Sequence, residues 1–108
     1  MSLPACEILR RAPGALEVRL APEAIAAACR DHFPGASIVP GVALLDWALA
    51  LAAEAFGTPR AATHLQVKFF RPARPGLELR LALTCTPARL EILYTVGGEP
   101  AARGRVTL

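Results

Sequence analysis

Aromatic side chains are scarce in this chain: one tryptophan, one tyrosine and four phenylalanines among 108 residues. With its basic residues scattered, the chain lacks the stacking platforms and dense cationic run of a nucleic-acid-binding surface. Cysteine is sparse too. Cys6, Cys29 and Cys85 are widely spaced and odd in number. They form no metal-ligand pattern, and reduced, partly buried thiols are expected. Residues 1–7 lack a basic stretch followed by an apolar one, so no secretory leader is expected. The longest apolar run, 42–56, is interrupted by Asp46 and Glu54. It falls short of the about 20 residues that a membrane span needs. A cytoplasmic protein with no nucleic-acid partner and no membrane span is the resulting expectation.

The chain is rich in apolar residues, at 54% against 19% charged. One domain over residues 1–108 is expected. The apolar surplus in so short a chain suggests a subunit interface, most simply that of a homodimer or a larger symmetric assembly. The net charge is +3. A mildly basic surface of this kind suits an acidic partner, including a phosphate-bearing carrier.

Residues 6–20 read as two short strands, 7–10 and 15–20, with a turn at 12–14. Residues 22–30 are alanine-rich and suggest a helical turn. A loop at 31–41 follows, punctuated by Pro34, Gly35 and Pro40. Gly41 opens one long helix to about Phe56, and Gly57-Thr58-Pro59 stops it. That helix is apolar nearly all round, so something must wrap it. Strands at 62–71, 77–86, 89–96 and 101–108 supply the wrapping, and the clean alternation in 77–81 and 89–93 predicts one buried and one wet face. The order implies an α+β fold, an antiparallel sheet packed on a single helix. His64 alternates with Gln66 and Lys68 and reads as surface.

The stretch from Asp31 to Trp47 carries the chemistry. His32 lies in a segment stiffened by Pro34 and Pro40. Gly41 stands at a helix start, where backbone N–H groups have no helical partner and negative charge is favoured. A glycine there lets another molecule approach the backbone. Asp46 follows among Leu44, Leu45, Trp47 and Leu49, where a carboxylate is costly unless it is hydrogen-bonded or used. A base, an acid and an oxyanion site thus fall within one short segment. Each also has a plain reading: a surface histidine, a carboxylate placed for the helix dipole, and Pro-Gly as punctuation.

His32-Phe33-Pro34-Gly35, then Pro40-Gly41-Val42, then an acid at Asp46 resembles the signature of the 3-hydroxyacyl-[acyl-carrier-protein] dehydratases. The fourteen-residue step from histidine to acid matches that family. The short length and Asp46-Trp47-Ala48 look like its compact branch, tied to aryl polyene synthesis. The resemblance is strongest over residues 31–57. It implies the hot-dog fold, an antiparallel sheet around one long helix, and at least a dimer, with the histidine of one chain meeting the acid of its neighbour. Two positions depart from the pattern. Ala50 stands where the family commonly has a glutamine that orients the acid, and Ser37 stands where proline is usual.

The implied reaction removes water from a 3-hydroxyacyl thioester to give the 2-enoyl thioester. His32 takes the C2 proton, a role that suits an imidazole titrating near neutrality. The N–H of Gly41 or Val42 meets the thioester oxygen, and preorganised donors of this kind are worth roughly 3 to 4 kcal/mol each. Asp46 orients or protonates the departing hydroxyl. Phe33 and Pro40 flank the substrate site, and Trp47, Phe69 and Phe70 are candidate walls for the acyl chain. No metal and no organic cofactor is implied. Two rivals stand beside this reading: a hot-dog thioesterase hydrolysing acyl thioesters, and a non-catalytic acyl-binding or partner subunit.

Overall fold

A computed structural model of the chain describes residues 3–32, 38–60 and 64–108; the side chains of 30–32 lie outside that description. The chain opens with a hairpin of β1 (Cys6–Ala12) and β2 (Ala15–Leu20). Its turn depends on Gly14, which has φ of 70°. A Cβ there would sit 2.8 Å from the Cys85 carbonyl oxygen. That closeness lets the Gly14 carbonyl accept the Cys85 N–H at 2.8 Å, tying the hairpin to a strand far along the chain.

Next comes α1 (Pro22–His32), an eleven-residue helix where the sequence suggests only a turn. Alanine has the highest helix propensity, Pro22 suits the first helical position and Glu23 suits the positive end. Ile25 and Cys29, four residues apart, are buried. The backbone of His32 belongs to the last turn of this helix, which corrects its placement in a loop. The described residues therefore hold two helices.

The long helix α2 spans Gly41–Phe56, as its punctuation predicts. Gly57 ends it in the left-handed region and donates its N–H to the Ala53 carbonyl at 2.9 Å. Then follow β3 (Leu65–Phe69), β4 (Leu79–Cys85), β5 (Arg89–Val96) and β6 (Glu99–Thr107). All pairings are antiparallel, in the order β1-β2-β4-β5-β6-β3. The two-residue Gly97-Gly98 turn has positive φ at both positions, as a tight hairpin requires. The α+β architecture, an antiparallel sheet laid on a long helix, is the hot-dog arrangement.

Alternation decides the core. Leu81, Leu83, Leu90, Ile92, Tyr94 and Val96 point inward and are buried. Ala48 and Ala52 on α2 are fully buried, and their small side chains let the helix sit close to the sheet. Tyr94 fastens the two layers, since its hydroxyl donates to the Leu44 carbonyl at 2.6 Å. The opposite face of the sheet is wet and charged: Arg19 binds both Glu7 and Glu78, and Arg80 binds Glu78 at 2.6 Å. Among the described residues, no helix is long and apolar enough to cross a membrane.

Candidate functional site

The amino end of α2 is the chemically open part of the helix. Its cap is Pro40, in extended conformation, and among the described residues no side chain bonds the first turn. The N–H groups of Ala43 and Leu44 donate to the Pro40 carbonyl at 3.0 and 3.2 Å. Those of Gly41 and Val42 have no partner among the described residues. Two donors and the positive end of a sixteen-residue helix therefore face the same space. The segment entering the helix is held: Pro40 is buried, and the Val39 N–H donates to the Ala73 carbonyl at 2.9 Å.

Gly41 has a specific reason to be glycine. A Cβ built on it would lie 2.7 Å from Cζ of Phe69 and 3.1 Å from Cε1. The phenyl ring of β3 thus covers the first residue of α2. The close approach that a glycine permits is made, within this chain, by Phe69. The ring is 50% exposed, so it has room to turn.

Asp46 lies five residues further along the helix. It is half-buried, which corrects the expectation of a carboxylate enclosed by leucines. No charged side chain is buried among the described residues. The physical reason is that the sheet does not wrap α2 completely. Val42, one turn before Asp46 on the same face, is 59% exposed. Ala50, one turn after, is buried at 2% and offers no polar group. The Asp46 carboxylate makes no hydrogen bond or ion pair among the described residues.

The remaining predicted site residues divide. Trp47 packs against the core beside Asp46. Phe69 lies over Gly41, whereas Phe70 lines a concavity on the outer face of the sheet with Lys68 and Arg103. The two phenylalanines therefore face opposite sides, and Phe70 is not brought to the helix end. Phe33 lies outside the described residues, as does the His32 side chain, so the histidine–acid geometry does too. His64 is exposed. Cys6, Cys29 and Cys85 are free thiols, and burial pushes those of Cys6 and Cys29 up. Among the described residues no group of histidine, cysteine and carboxylate side chains could hold a metal. Sequence reasoning missed Tyr94. Its signal was a lone tyrosine at an inward position of an alternating strand, where a buried hydroxyl needs a partner.

The ApeI-like family, described as ApeI dehydratase, matches residues 10–105. The chain belongs to this dehydratase family. The match spans both helices and nearly the whole sheet, and it agrees with the family resemblance of the sequence. No curated protein matches. Among solved structures, the dehydratase heterocomplex ApeI:P from Xenorhabdus doucetiae is similar over 98% of this chain and 97% of that chain, with TM-score 0.82 and 24% identity. An uncharacterized protein from Erwinia carotovora subsp. atroseptica is similar over 98% and 95%, with TM-score 0.68 and 25% identity. Thioesterase superfamily member 2 from Mus musculus is similar over 94% and 79%, with TM-score 0.72 and 14% identity. Dehydratases and thioesterases share this architecture, so the fold alone does not choose the reaction.

Proposed function

We propose that this dehydratase acts on a 3-hydroxyacyl thioester carried on acyl carrier protein or coenzyme A and forms the trans-2-enoyl thioester, within fatty acid or polyene biosynthesis in the cytoplasm. The observation that carries the reading is the amino end of α2, where two unpartnered N–H groups stand on the same helix as a half-uncovered carboxylate. The thioester oxygen accepts from Gly41 and Val42, which lowers the cost of removing the C2 proton. His32 takes that proton. The electron pair forms the C2–C3 double bond, and the C3 hydroxyl leaves as water with a proton from Asp46. Trp47 and Phe69 flank the acyl chain.

A second copy completes the site in this reading. Val42 and Asp46 lie on a strip of α2 that its own sheet leaves open. The edge strand β3 exposes Val67 and Phe69 beside that strip, whereas the opposite edge, β1, carries an irregularity near Ile8. An exposed apolar edge is a template for pairing, and a bulged one resists it. A homodimer joined at β3 would enclose Asp46 and bring the partner chain's histidine toward it. Because a similar protein forms a heterocomplex, a different chain is the alternative occupant.

The test is incubation with a 3-hydroxyacyl thioester, following enoyl product and free thiol separately. Enoyl product with no thiol is expected, and His32→Ala should lower turnover by orders of magnitude while the protein stays folded. Thiol release without enoyl product would replace dehydration by hydrolysis. Full activity in His32→Ala would remove the histidine from the mechanism.

A further inference from the structure

The outer face of the sheet holds a pair of cations that the α2 site does not use. Lys68 on β3 and Arg103 on β6 are direct partners in the antiparallel ladder. Both are exposed, and neither joins an ion pair among the described residues. Their neighbours differ: Arg89 and Arg105 share Glu91, at 3.8 and 3.6 Å. Like charges directly opposite each other across two strands are destabilising. Here the repulsion is left standing beside a concavity of about 690 Å³, with Leu93 and Ala82 along its floor and Phe70 on its wall. Phe70 is a half-exposed ring in the same lining as Leu93 and Ala82.

We infer that this concavity binds a phosphate monoester, with Lys68 and Arg103 holding the phosphate and the organic part lying against Phe70 and Leu93. A dianion neutralises both cations at once, whereas a carboxylate neutralises one. The arginine fork presents paired N–H donors to phosphate oxygens, and the lysine adds a point charge. The apolar floor and wall suit an ester better than the bare ion. The site is separated from the amino end of α2 by the thickness of β3, since Phe69 points inward to Gly41 and its two neighbours face out.

The experiment follows thermal unfolding of the whole protein in phenyl phosphate, in inorganic phosphate, and in sodium chloride at matched ionic strength. Both phosphates should stabilise the wild type saturably, phenyl phosphate at lower concentration. In Lys68→Ala/Arg103→Ala, half-saturation should move up by about tenfold or more. Without phosphate, the double variant should be at least as stable as the wild type, because the repulsion is gone. Equal stabilisation by chloride, or an unchanged response in the double variant, overturns the site. A second arm identifies the source of the phosphate and rests on the proposed dehydration. KM is compared for a coenzyme A thioester and for an N-acetylcysteamine thioester, which carries no phosphate. A rise in the double variant confined to the former assigns the phosphate to the substrate handle. No rise with either leaves a free phosphate ester as the occupant. The unfolding arm needs no turnover, so the two readings fail separately.

Discussion

Replacing Tyr94 by phenylalanine tests how the sheet holds the helix that carries Asp46. The Tyr94 side chain is 1% exposed, and its hydroxyl donates to Leu44, two residues before the acid. Removing one buried hydrogen bond costs about 1 kcal/mol net. The cost stays near that value because a helical carbonyl still accepts from the N–H four residues on. The pH dependence is the sharper signature. Burial pushes the Tyr94 phenol well above its ordinary value of 10.0. Above that pH the unfolded chain releases the proton and the native protein keeps it. The native state then binds more protons, so stability falls as pH rises, by about 1.4 kcal/mol by pH 11 for one group. Tyr94→Phe lacks this loss, and every other titrating group is common to both proteins. The wild type should therefore lead by about 1 kcal/mol at pH 7, and the two should become equal near pH ~10.7. Urea unfolding of both proteins from pH 7 to 11 measures the difference. A gap that stays constant across that range would refute a sealed tyrosine at the sheet–helix contact.

The other predictions concern the site and the core. Gly41→Ala drives a methyl group into the Phe69 ring, so under the proposed reaction turnover should fall at least about tenfold, with stability changed by less than about 1 kcal/mol. Steady-state kinetics of Gly41→Ala in wild-type and Phe69→Ala backgrounds check the cause, and an equal loss in both clears the ring. Leu81 is fully buried, and Leu81→Ala should cost about 2–5 kcal/mol in denaturant unfolding. A loss under about 1 kcal/mol would mean that the sheet and helix close over the gap.

Helix α2 and strand β5 were legible from local signals alone. Gly41 and Gly57-Thr58-Pro59 bracket the helix, and strict alternation from Arg89 marks the strand, because backbone freedom and side-chain period act within a few residues. The family was legible as a resemblance carried by residues 32–46, and the family match agrees on the family. Helix α1 was not, because a run of small alanines has no strong periodic stripe. Only the burial of Ile25 and Cys29 in the core gives that helix a face.

Local residue patterns decided which residues share a face, where the chain turns, and that one apolar helix needs a sheet around it. Tertiary structure alone decided that β3 crosses to the far edge beside β6, since alternation sorts faces but cannot name a neighbouring strand. That placement sets Phe69 over Gly41, Phe70 and Lys68 on the outer side, and an incompletely wrapped helix with Asp46 on its open strip. A six-stranded sheet from one chain covers part of a helix's circumference, so the acid's surroundings depend on what packs against the rest.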